Sequence, residues 1–209
     1  MNKPIFCIVG KSGVGKSTYL DTLANDTHMN TIGIKELKYH TTRKKRYKSE
    51  DSYHFVSFND FLKDYNSGNI IEKRHYNKFD EDVVYYTTKS DIEDSSGRAL
   101  FCAASVDQAL SYYDTLNSIY IINIEVNTKQ RLQRLISRCN NEDDCYEVCR
   151  RAIEEDKEYN KLFERDFGDK IITVDNSDQE YMSSEEVILH NTGIITNFIY
   201  NNSHPYTNI

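Results

Sequence analysis

Near the start of the chain, glycine, lysine and serine stand at a spacing that can hold an anion. In PIFCIVGKSGVGKST, Pro4 to Thr18, Gly10 is followed after four residues by Gly15, Lys16 and Ser17, the pattern of a phosphate loop. Gly10, Gly13 and Gly15 let the backbone turn tightly with its N–H groups facing inward, where a side chain would obstruct a phosphate. Lys16 then reaches the β- and γ-phosphates of a bound nucleotide, and the Ser17 hydroxyl ligates the Mg²⁺ that bridges them. The expected nucleotide-binding set is Gly10, Lys11, Ser12, Gly13, Val14, Gly15, Lys16, Ser17 and Thr18. A plain glycine-rich turn is the alternative, and the placement between an apolar run and a helical segment argues against it.

A second anion site is suggested by the densest basic cluster in the chain: Arg43, Lys44, Lys45, Arg46 and Lys48. Two guanidinium forks three residues apart, Arg43 and Arg46, can grip one phosphate bidentately, which lysine cannot do. Tyr53 and Tyr86 can add phenolic donors. Glu72, a carboxylate in an otherwise apolar stretch, can accept hydrogen bonds from a base. The ordinary alternatives are a solvated basic face and a surface salt bridge from Glu72 to Lys73 or Arg74.

The elements that must position these groups follow from periodicity. Ile5 to Val9 predicts a buried strand of a parallel sheet, and Thr18 onward a helix whose N-terminal partial positive charge adds to the loop. Strands are predicted within Asn30 to Thr42, at Tyr53 to Ser57, Ile70 to Glu72, Val83 to Thr88, Ala99 to Ala103, Ser118 to Val126 and Lys170 to Val174. Helices are predicted after Ser57, over Val106 to Thr115, from Thr128, and from a break at Cys139–Glu142 toward Phe163. A last helix opens on the capping-box spacing of Ser183 and Glu186 and carries Val187, Ile188, Ile194, Ile195 and Ile199. Strands separated by helices predict an α/β three-layer domain with a mainly parallel sheet, its ligand beyond the carboxyl ends of the strands.

At 209 residues one compact domain is expected. The formal net charge of −7 argues against a general nucleic-acid binder. Five cysteines with no signal-peptide pattern predict thiols in a reducing, cytoplasmic setting. Cys139, Cys145 and Cys149 invite a zinc reading, but no second CxxC-type pair completes it. No apolar stretch of about 18 residues predicts a membrane span.

Taken in order, GKSGVGKST, HTTRKKRYKSEDSYHFVSFNDF, IIE and YYTT resemble the guanylate kinase family from about Ile5 to Asn176. The gap from Tyr53 to Glu72 is the family's own. The resemblance implies a P-loop fold with a β-rich insertion for a nucleoside monophosphate at about 36–90, a helical lid at about 138–151, a core of 1–35, 91–137 and 152–200, and a tail at 201–209. It implies that Arg43, Arg46, Tyr53 and Tyr86 hold the acceptor phosphate and that Glu72 and Thr88 read a guanine base. Arg134, Arg138 and Arg150 (or Arg151) match the arginines that clamp the transferring phosphoryl group, beside Lys16 and Arg43. The implied reaction moves the γ-phosphate of Mg-ATP to GMP or dGMP. Its partners are small nucleotides, without nucleic acid or membrane, in a monomer or homodimer.

The sequence departs from the family where a DxD-type segment is expected, with Cys102 and Ala104 there, and at Tyr39, where the family has a base-contacting serine. Two alternatives therefore stand: a kinase of another nucleoside monophosphate or of ribose 1,5-bisphosphate, and a non-catalytic binding module.

Overall fold

The computed structural model describes residues 3–45, 47–78 and 81–203, without the side chains of 76–78, 81, 82 and 151. At its centre is β1 (Ile5–Val9), buried at all five positions. A strand with neighbours on both edges and helices on both faces has no wet side, so its sequence must be apolar throughout. The other strands of this sheet are β2 (Ile34–Glu36), β7 (Ala99–Ala103), β8 (Ile119–Glu125) and β9 (Ile171–Asp175). They run parallel in the order β2-β7-β1-β8-β9.

Alternation along β1 divides the core in two. Phe6 and Ile8 pack with Tyr19 and Leu23 of α1 (Lys16–Asn25) and with Ile195 and Ile199 of α8 (Ser184–Ser203). Ile5, Cys7 and Val9 pack on the opposite face with Ala109 and Tyr112 of α5 (Val106–Thr115) and with Tyr159 of α7 (Glu142–Asn160). The chain is thus a three-layer α/β fold with a mainly parallel central sheet.

Between β2 and β7 the chain builds a second sheet in the order β4-β3-β6-β5. It comprises β3 (His40–Thr41), β4 (His54–Phe55), β5 (Ile70–Lys78) and β6 (Glu81–Thr88). One face is covered by α3 (Phe58–Asn66), whose Phe61 clusters with Val84 and Tyr86. Ser57 and Asp60 form a capping box that starts this helix where the sequence places it. The hairpin β5–β6 is longer than its apolar residues predict. Its polar tip pairs backbone to backbone from Lys73 to Lys78, and such pairing leaves no apolar signature.

Two short helices escape the periodicity. One is α2 (Thr27–Thr31), capped by Asp26, and the other is α4 (Lys89–Glu93), capped by Thr88 and Asp91. The lid region contains α6 (Thr128–Ile136) and then α7, which begins at Glu142 behind its cap Asn141. It stops at Asn160 and passes into a 3-10 turn, Lys161–Glu164, short of the predicted Phe163 end. Ser183 and Glu186 exchange the expected capping hydrogen bonds at 2.7 and 3.2 Å. The tail at 204–209 lies outside the described residues.

Candidate functional site

The phosphate loop leaves β1 at its carboxyl end and enters α1 at Lys16. Gly10 and Gly15 have φ of +146° and +99°, and a Cβ on them would lie 2.5 Å from the Ile124 carbonyl oxygen and 2.7 Å from the Asn176 amide nitrogen. Only glycine fits either place. Gly13, with φ +87°, packs against Leu135 and Arg131 of α6. The Lys16 ammonium spans the loop, donating to the carbonyls of Gly10 at 2.5 Å and Lys11 at 3.1 Å. Ser17 and Thr18 open the helix and are exposed, and the Ser17 hydroxyl makes no hydrogen bond among the described residues.

A buried polar network that the sequence reading does not include braces this loop. Asn176, just past β9, donates to the Val14 carbonyl at 2.9 Å and accepts from the Tyr19 hydroxyl at 2.8 Å. Asn191 of α8 donates to that same hydroxyl at 3.0 Å and to the Asp175 carbonyl at 2.9 Å. Asparagines beyond a strand end and inside an apolar helix were the available signal.

Of the lid arginines, Arg134 stands closest to this bracing. It donates to the Asn176 carbonyl at 3.1 Å and to Asp178 at 3.2 Å, one residue away from the loop. Arg138 is exposed, and its side chain makes no hydrogen bond or ion pair among the described residues. The Arg150 guanidinium is held on the α7 surface by Glu147 and Glu154, which raise its already high pKa. The structure therefore does not bring Arg150 to the loop, and the Arg151 side chain lies outside the description.

Instead α7 presents carboxylates to the loop. Glu155 accepts from the Ser12 N–H at 2.8 Å and from the Ser12 hydroxyl. Asp156 pairs with Lys11 at 2.6 Å. Arg131 of α6, 3% exposed, lies 3.7 Å from Glu155 and 3.6 Å from Asp156. Beside this cluster is a cavity of about 320 Å³ at the carboxyl ends of β8 and β9, lined in part by Lys11, Arg131, Tyr159, Asn127 and Ser177.

The second sheet gathers the acceptor candidates on one face. Antiparallel partners share a face, and the register sets Thr41 and Arg74 opposite Tyr85, and Glu72 opposite Thr87. Arg43 follows this sheet face. Its guanidinium donates to the buried Glu50 carboxylate at 2.7 and 3.3 Å, the chief cause of its raised pKa, and lies 5.5 and 5.3 Å from the ring centres of Tyr53 and Phe55. Tyr85 meets Tyr53 edge-on at 5.4 Å. Arg46 lies outside the described residues.

Glu72 is buried, accepting from Arg74 at 3.1 Å and from Gln108 of α5 at 2.9 Å. Burial pushes its carboxyl above the usual range, and the Arg74 charge offsets part of that shift. Thr87 shares a 2.6 Å hydrogen bond with the Tyr112 hydroxyl, so buried polar contacts dock the second sheet on α5.

Tyr86 and Thr88 belong to the other face, a correction to the expected site. The Tyr86 hydroxyl donates to Asp64 of α3 at 2.9 Å, while its ring stacks on His40. Thr88 spends its hydroxyl and N–H on Asp91 as the cap of α4. Their places toward Arg43 and Glu72 are taken by Tyr85 and Thr87. At the carboxyl end of β7, Cys102 is buried beside Cys7, and burial pushes up the Tyr39 hydroxyl lying against it.

Among the described residues no group of three or more His, Cys, Asp or Glu forms a metal cage. The glycine cradle and the exposed Ser17 hydroxyl fit a phosphate-bound Mg²⁺, which takes few protein ligands and keeps its waters. No described helix is long and apolar enough to cross a membrane.

No curated protein sequence matches the chain. Among solved structures, a guanylate kinase from Anaplasma phagocytophilum superposes with a TM-score of 0.58 over 98% of this chain and 89% of that one, at 16% identity. That likeness carries the fold. The profile of the family described as Guanylate kinase matches residues 1–191, so the chain belongs to the guanylate kinase family.

Proposed function

We propose that the protein transfers the γ-phosphate of Mg-ATP to GMP or dGMP. The observation carrying this reading is one face of the second sheet. Arg43, beyond β3, offers a cation for a phosphate, and Glu72, on β5, offers a buried acceptor for a base. Two inter-strand steps separate β3 from β5, roughly 10 Å, the span of a nucleoside monophosphate.

On the donor side, the loop N–H groups and Lys16 bind the phosphates, and Lys16 exchanges the Gly10 and Lys11 carbonyls for them. Ser17 is the ligand offered to Mg²⁺, which supplies charge neutralisation at the transferring group. The cavity between the loop and the ends of β8 and β9 is large enough for the donor base. Arg134 and Arg138 add positive charge from the lid, since phosphoryl transfer needs positioning and neutralisation more than covalent catalysis. The proposed compartment is the cytoplasm, consistent with five cysteines that are all free thiols.

Tyr39 and Cys102 favour a second reading, a kinase with a different or broader acceptor. Both stand near the base end, and neither supplies a carboxylate. A coupled ADP-release assay across a panel of monophosphates tests the two together. Turnover confined to guanine acceptors supports the first reading, and equal turnover of GMP and AMP supports the second. Lys16→Ala, folded by its thermal melt, should lose transfer to every acceptor.

A further inference from the structure

We propose that Gln108, on the first turn of α5, reads the acceptor base beside Glu72, its side-chain carbonyl taking an amino hydrogen that Glu72 leaves over. This rests on the guanine reading of Glu72 above and adds a specificity-determining residue to it.

Gln108 is buried, and its Nε2 donates to Glu72 at 2.9 Å and to the Tyr112 hydroxyl at 3.5 Å. An ionised carboxylate only accepts, so the amide nitrogen must be the atom facing Glu72. That fixes the other half of the amide. Oε1 then faces away from Glu72, and no described residue donates to it. Oε1 is not among the fully buried atoms left without a partner, so it is open to solvent and a ligand can reach it. The backbone is pinned as well, because the Gln108 N–H donates to the cap residue Ser105 at 3.3 Å.

Hydrogen-bond capacity decides what the pair can read. Each Glu72 oxygen already accepts one hydrogen bond, from Arg74 or from Gln108, which leaves one lone pair on each. A guanine edge brings three hydrogens: N1–H and two on the 2-amino group. Glu72 takes N1–H and one amino hydrogen, and the second amino hydrogen requires another acceptor. Cys102 and Ala104 at the neighbouring strand end provide none of comparable strength. Gln108 Oε1 completes the count. An adenine edge, with a ring acceptor beside its amino group, would set acceptor against acceptor.

The test compares GMP with inosine monophosphate, which lacks the 2-amino group, as ligands of the wild-type protein and of Gln108→Met. The Met variant keeps the side-chain length and removes both halves of the amide. Binding is measured by calorimetry and turnover by ADP release, with ATP affinity as the control. Losing one hydrogen bond should shrink the preference for GMP over inosine monophosphate by about tenfold, with ATP affinity unchanged. An unchanged preference overturns the proposal, whether both ligands weaken together because Gln108 merely braces Glu72 or neither changes. A wild-type protein that binds neither ligand rejects the guanine reading itself, and with it the role of Gln108, before any variant is made.

Discussion

Glu155 accepts hydrogen bonds from both the backbone N–H and the hydroxyl of Ser12, so a carboxylate of α7 occupies donors of the phosphate loop. A loop built of inward-facing N–H groups binds whatever anion reaches it, and here the nearest anion is the chain's own. Asp156 extends the contact to Lys11, while Arg131 holds the two carboxylates from behind. Under the proposed function, nucleotide entry at this end of the loop is an exchange of anions.

Glu155→Ala should therefore tighten ATP binding by about threefold to tenfold, less than a fully buried charged hydrogen bond is worth because Glu155 is partly solvated. The same substitution should lower the thermal melt, since the buried Arg131 loses one of its two carboxylates. Calorimetric titration and a melt read these opposite signs. Weaker ATP binding in a folded variant would instead make Glu155 a brace for the bound loop.

Arg43 is less clean a probe than its place in a basic cluster suggests. Its guanidinium lies against the edge-to-face pair of Tyr53 and Phe55 and is paired with the buried Glu50. Arg43→Ala should raise acceptor KM while leaving ATP affinity unchanged, and should also cost stability of about 1.5–3 kcal/mol through the lost charged hydrogen bonds. Glu50→Gln tests that division: it should keep more acceptor use than Arg43→Ala at a similar loss in the melt. Equal acceptor kinetics in Arg43→Ala and the wild-type protein would leave Arg43 a purely structural partner of Glu50.

Tyr85 and Tyr86 should separate function from folding. Tyr85→Phe should impair acceptor use by about tenfold, whereas Tyr86→Phe should lose about 1 kcal/mol of stability with its bond to Asp64 and leave acceptor kinetics near wild type. Steady-state kinetics and denaturant melts on both variants decide, and the reverse pattern would put Tyr86 back in the site.

This pair also marks where the sequence stops being legible. The phosphate loop, β1 and the three-layer order are written locally, in glycine spacing and in apolar runs of different period. Strand phase is not. In VVYYTT every residue suits a strand, so nothing in the run says which tyrosine faces the ligand, and a one-residue slip exchanges the faces. The structure settles it through the irregularity between Ile70 and Glu72 and through α3, which claims Tyr86 for its own side. Asn176, Gln108 and Glu155 were hidden for another reason. Each acts across a long sequence separation on a residue that local pattern cannot connect to it.

Glu72 should show two pH dependences of opposite sign. Burial raises its folded-state pKa above the ordinary glutamate value, the Arg74 charge only partly offsetting it. In the window between the unfolded and folded pKa values the folded protein without ligand binds the extra proton, so stability falls as pH rises through that window. Acceptor binding needs the ionised form, so GMP affinity should rise with pH over the same window and level off above it. Glu72→Gln removes the Glu72 titration: its melt should lose that falling limb, and its weaker GMP binding should keep only the pH dependence of the GMP phosphate, whose second ionisation lies at about pH 6. Melts and GMP titrations of both proteins, taken between about pH 4 and pH 8 to span the ordinary and raised glutamate values, measure the two slopes. A wild-type GMP affinity whose pH dependence matches that of Glu72→Gln would remove Glu72 from the base site.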